Sequence, residues 1–138
     1  MKKLALLLVA AVFVFAPVSA QALSVGDWGG WPTIGTQFND NLSGYLGFAY
    51  YGTGTSSNVL AKVDYNLAKL GDVQTKAGVY YTMTSPNTGT ALGLTWGASI
   101  MAVKNLSVGF DVILARANGT PSSTDVLPGA VMTANLIL

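Results

Sequence analysis

The sequence predicts an all-β protein, an antiparallel up-and-down transmembrane β-barrel, and three observations lead there. From about residue 30 onward apolar residues alternate with polar or small ones, and the apolar set carries no charge. The connections between these runs switch between short and long. Only 9% of the residues are charged, against about 25% in soluble domains. A period of two sends successive side chains to opposite faces of a sheet. A sheet apolar on one side and sparsely polar on the other suits a barrel with lipid outside and its polar groups within.

The chain of 138 residues allows one domain, preceded by a leader. Residues 1–20 read as a secretory signal peptide: Lys2 and Lys3 are basic, Leu4 to Ala16 are apolar, and Pro17 breaks the run. Val18-Ser19-Ala20 offers small residues for a cut after Ala20, with Ala22 as a second site. The apolar run of about 13 residues is shorter than the roughly 20 that span a bilayer as a helix. The barrel domain is then 21–138.

The first strand is Ala22 to Asp27, closed by Trp28-Gly29-Gly30-Trp31. At six residues it is short beside the ~9–11 of a spanning strand. Topology asks for it, because an exported N-terminus and the last strand should share one side. Counting it gives eight strands; without it the sheet is open or seven-stranded. The second strand, 31–38, turns Ile34 and Phe38 outward and Gly35 and Gln37 inward. The third, 42–52, carries Leu42, Leu46, Phe48 and Tyr50 on one face. The fourth, 58–67, sets Val59, Val63, Tyr65 and Leu67 against Lys62, Asp64 and Asn66. The fifth, 73–83, alternates Val79 and Tyr81 with Gln74, Lys76 and Gly78. The sixth, 91–102, places Leu92, Leu94, Trp96 and Ile100 opposite Gly93, Thr95, Gly97 and Ser99. The seventh, 106–116, sends Val108, Phe110 and Val112 outward and Gly109 and Asp111 inward. The eighth, 126–138, has Ala130, Met132, Ala134, Leu136 and Leu138 at every second position.

The connections Asn39-Asp40-Asn41, Ala68 to Asp72 and Val103-Lys104-Asn105 are short. Gly52 to Ser57, Thr84 to Thr90 and Ala117 to Asp125 are longer and rich in turn residues. Outer-membrane barrels have this asymmetry, short on the periplasmic side and long outside. Pairing Phe38 with Leu42, or Ala102 with Leu106, leaves three-residue loops ending in Asn41 and Asn105. Asn tolerates the left-handed conformation such loops want last. Pairing Leu67 with Val73 sets Asp64 opposite Lys76, an expected cross-strand ion pair.

Inside, Lys62, Asp64, Lys76 and Asp111 balance two against two and form the expected interior polar network. Small residues there offset the bulk of Tyr45, Tyr51, Tyr80 and Met101. Eight strands leave room for packed side chains and little more, so a pore is not expected. Trp28, Trp31, Tyr50, Tyr65, Tyr81 and Trp96 are the expected interfacial aromatics, since rings with a polar tip favour the membrane–water boundary.

Chemistry is conspicuous for what is missing. Histidine, cysteine and glutamate are absent, which removes Ser-His catalysis, disulfides, a lipidated cysteine and ordinary transition-metal ligands. No phosphate-binding glycine loop opens a helix. Once the leader is removed, Lys62, Lys69, Lys76, Lys104 and Arg116 face six aspartates, a net charge near −1 that offers nucleic acid no handle. The expectation is a non-enzymatic chain without catalytic residues, cofactor or metal.

The signal, the alternation, the turn asymmetry and the apolar last strand together resemble the small outer-membrane β-barrel family of the OmpA and OmpX kind. Trp31-Pro32-Thr33-Ile34-Gly35 leading into Phe38-Asn39-Asp40-Asn41-Leu42 is similar to hairpins common among its members. The final strand is similar to the family's C-terminal assembly signal, with Leu138 where a terminal aromatic is usual. The resemblance implies the outer membrane of a diderm bacterium, membrane lipid and the outer-membrane assembly machinery as partners, and a structural or surface-display role. Two other readings stand beside it. One is a soluble periplasmic barrel or sandwich that turns its apolar face inward onto a small apolar ligand. The other is a narrow channel or oligomeric assembly piece.

Overall fold

Alternation of period two produces strands over almost every residue that the computed structural model describes, namely 22–50, 57–85, 89–119 and 122–138. The strands are β1 (Ala22–Trp28), β2 (Trp31–Gln37), β3 (Leu42–Tyr50), β4 (Ser57–Leu70), β5 (Val73–Ser85), β6 (Thr90–Val103), β7 (Leu106–Gly119) and β8 (Ser122–Ile137). Each is antiparallel to the next and β8 returns to β1, closing an eight-stranded barrel. Closure pairs the edge strands β1 and β8 along their lower parts, where an open meander would leave both exposed. The expected leader at 1–20 and Tyr51 lie outside the described residues.

The short first strand exists and closes the barrel. Ser24 to Trp28 pair with Ile137 to Thr133 on one side, and Ala22 to Trp28 pair with Gln37 to Trp31 on the other. Gly29 and Gly30 join β1 to β2 with φ of 59° and 90°. Positive φ at both central residues is the two-residue hairpin turn that matches strand twist.

The other turns correct the expected registers. Phe38 donates its backbone N–H to Leu42 at 2.9 Å, so that three-residue loop stands. Asn41 is not left-handed, however; the Asn39 side chain instead accepts from the N–H groups of Asn41 and Leu42 at 2.8 and 2.9 Å. Asn105 is left-handed, with φ of 69°. Its hairpin closes on Val103 and Leu106 and not on Ala102, because the register shifts between Met101 and Val103. The β4–β5 hairpin is likewise tighter than expected. Leu70 faces Val73 across Gly71 and Asp72, and a bulge between Asn66 and Lys69 restores the parity. Asp64 therefore lies opposite Gly78, and Lys76 opposite Asn66. The expected long connection at 117–125 is mostly ladder, with Asn118 facing Ser123 and Gly119 facing Ser122.

The wall is uneven in height. β1 and β2 have seven residues each, whereas β4 to β8 have 13 to 16. Among the described residues β8 meets β1 only from Met132 onward, through the Gly29 N–H to Met132 carbonyl bond and the ladder beyond it.

Candidate functional site

The interior of the barrel is the part of the molecule with chemistry in it. β4 supplies Lys62 and Asp64 two residues apart, hence on one face. β5 supplies Lys76 and β7 supplies Asp111. All four are buried, Asp111 completely. The four alternate in sign around a closed ring: Lys62 contacts Asp64, and Nζ of Lys62 lies 3.1 Å from Oδ2 of Asp111. Lys76 Nζ lies 3.1 Å from Oδ2 of Asp64 and 3.3 Å from Oδ1 of Asp111. The Asp64–Lys76 pair thus forms along a diagonal of the ladder, since the two are not directly opposite.

Two glycines make the ring possible. A Cβ on Gly78 would collide with the Asp64 carboxylate, and one on Gly97 with that of Asp111. Each carboxylate therefore lies flat across a bare stretch of the neighbouring strand. Burying an ion costs several kcal/mol unless partners restore the lost hydration. Here every charge has two opposite charges in reach. The Lys62 ammonium also sits 5.6 Å from the Tyr45 ring centre and 5.8 Å from that of Trp28.

Trp28 is misplaced by sequence reasoning. It was expected at a membrane interface, yet it is only 7% exposed and turns into the barrel. Its indole Nε1–H donates to Oδ2 of Asp111 at 2.7 Å. Its partner across the hairpin, Trp31, also faces inward and packs against the same cluster. The missed signal is parity: Trp31 shares its face with Thr33 and Gly35, and a two-residue turn hands that face to Trp28. Among the other expected interfacial aromatics, Tyr65 and Trp96 are exposed on the outside, and Trp96 meets Phe110 edge-on at 6.3 Å. Tyr81 is half-buried on the outward face, opposite Ala61 and Leu92. The Tyr50 side chain lies outside what is described.

On the loop side of the ring lies an apolar layer, of which sequence reasoning placed only Tyr80 inside. Leu60, Tyr80, Ile113 and Trp28 form it, with Trp31 and Val131 packed against them. The rings of Trp28 and Tyr80 are 5.0 Å apart, and Gly93 gives Tyr80 the room a Cβ would take. Farther toward the loops, Arg116 Nη2 donates to Asp125 Oδ2 at 2.8 Å, and Asn118 donates to the same oxygen at 3.0 Å. Toward the loops the lumen is thus stacked as a neutralised charge ring, an apolar layer and a polar rim. Among the described residues no group of His, Cys, Asp or Glu is arranged to hold a metal.

The outside is the reverse. Ile34, Phe48, Val79, Leu92, Leu94 and Ile100 are all between 43% and 57% exposed. The apolar face therefore points away from the lumen, the opposite of what an apolar-ligand barrel requires. The chain matches no family model, no curated protein and no solved structure.

Proposed function

We propose that the protein is a non-enzymatic barrel of the outer membrane, exported by its leader and held in lipid by its outward face, with a structural or surface-display role. One observation carries this reading. Large apolar side chains cover the outside while Lys62, Asp64, Lys76 and Asp111 neutralise one another within. In water that arrangement wastes apolar burial and buries charge for nothing; in hydrocarbon both choices are favourable. The charge ring is then a structural element, since each of its ions is engaged by neighbours and the apolar layer stands between it and the loop end.

The test is fractionation and gel mobility. The protein should stay with membranes through a high-salt wash. In detergent it should migrate faster on unboiled gels than after boiling and give a β-type circular dichroism spectrum. A monomer that is fully soluble without detergent overturns the reading.

A further inference from the structure

The wall has a notch, and its chemistry differs from that of the rest of the barrel. Between β8 and β3 only the β1–β2 hairpin intervenes, and it stops early. Pairing of β2 with β3 ends at Thr33 and Gly47, and β1 reaches β8 no farther than Met132. Above that level, among the described residues, Ser122 to Val131 pair with β7 alone. Seven residues rising about 3.3 Å each along a strand tilted by about 40° cover roughly 18 Å of the barrel axis, against an apolar band about 25 Å tall. If the barrel is in a bilayer, the notch opens within hydrocarbon.

Its β8 border is apolar. On β8, Val126 is 76% exposed, Leu127 63% and Met132 73%. Gly129 shares the inward parity of Ile113, and a Cβ built on it meets nothing within 4 Å. Space is therefore open on the lumenal side just above Val131, Trp31 and the apolar layer they pack against. The rim beyond is polar, with Arg116, Asn118 and Asp125.

A second β-strand is the obvious occupant of a free edge, but this edge is built against one. Pro128 has no N–H to donate. Leu127 beside it is left-handed, with φ of 51°, and the register of β7 and β8 shifts there. Bulges and prolines are the devices by which edges refuse pairing. An acyl chain needs no hydrogen bonds and fits an apolar cleft continuous with an apolar outer face.

We infer that the notch between β8 and β3 is a lateral binding site for a phospholipid acyl chain, which enters from the bilayer and rests on Val131 and Trp31 at the top of the apolar layer. The inference rests on the membrane reading above. The chain lacks cysteine, so single cysteines carry spin labels without background. The protein is refolded into vesicles of phosphatidylethanolamine and phosphatidylglycerol with a label at Gly129→Cys, and separately at Val131→Cys. Outward Val79→Cys and turn position Asp72→Cys are the lipid and water references. Labels in the notch should be accessible to oxygen and, like Val79, about tenfold less accessible than Asp72 to a water-soluble nickel complex. A label at Gly129 that meets nickel as Asp72 does means a water-filled mouth and overturns the inference. Exclusion of both reagents with spin–spin broadening means a second copy on the edge, and overturns it too. If Val79 itself meets nickel, the membrane reading fails, a distinguishable result. A second readout uses Trp96→Phe, which retains Trp28 and Trp31. In vesicles with brominated acyl chains it should lose the emission of one of these two tryptophans, and unquenched emission overturns the inference.

Discussion

Asp111 gathers partners from four other strands: Trp28 on β1, Lys62 on β4, Lys76 on β5 and the bare backbone of Gly97 on β6. It ties distant parts of the cylinder together, so its removal should cost more than any one contact. Asp111→Asn leaves two buried ammonium groups facing one carboxylate, and breaking a buried pair on one side costs about 3–5 kcal/mol. Urea unfolding in detergent micelles should show that loss. Adding Lys76→Met, which restores one charge against one, should recover part of it, since the two sites are coupled. Trp28→Phe keeps the ring but loses a hydrogen bond to a charged group, worth about 1.5–3 kcal/mol. Gly97→Ala puts a methyl group against the Asp111 carboxylate and the Phe110 carbonyl. That overpacking should cost about 1–3 kcal/mol, whereas Gly129→Ala, which meets open space, should leave the unfolding midpoint where it is.

At the scale of elements, alternation made the strands legible, and the turns were where reading failed. Leu67, Ala68, Lys69 and Leu70 include no turn residue, but the two-residue alternation breaks across them, and that break hides the run of β4 on to Leu70. The bulge between Asn66 and Lys69 absorbs the change of parity, and bulges have no compositional mark. Trp28 failed for another reason. A ring with a polar tip satisfies itself equally at a membrane boundary or against a buried acceptor, and only the Gly29-Gly30 turn decides which. The interior ring was visible because its four residues share one parity; the apolar layer was not, because Leu60 and Ile113 look like any other strand residue. Arg116 and Asp125 meet across a hairpin whose ladder runs into what composition reads as loop. Asn105 is a turn residue that sequence and structure agree upon. Its φ of 69° is costly for a side chain branched at Cβ, so Asn105→Val should destabilise the β6–β7 hairpin by about 1–2 kcal/mol. Asn105→Gly should leave stability unchanged or slightly higher, and the pair of variants is compared by the urea midpoint.

For the whole molecule, the question is which solvent the outside was selected for, and the barrel allows that to be asked by depth. Val79 lies midway along β5 and is 45% exposed, while Val73 begins the same strand at the turn end and is 37% exposed. Both face outward, and only their height differs. In a bilayer a charged group at the midplane of the outer face costs about 2–4 kcal/mol, falling to about 0–1 near the interface. Val79→Arg should therefore lower the folding free energy in vesicles by that larger amount and Val73→Arg by the smaller. Both are measured by urea titration with the fraction folded read from the mobility of unboiled samples. In water the order vanishes, because an arginine on an exposed strand face at either height keeps its hydration. Equal and small effects at the two positions would mean that the outside never meets hydrocarbon. A gradient with Val79 the costlier site would mean that the apolar belt and the neutralised lumen are two halves of one adaptation, in which lipid covers the large apolar side chains that so narrow a lumen has no room to hold.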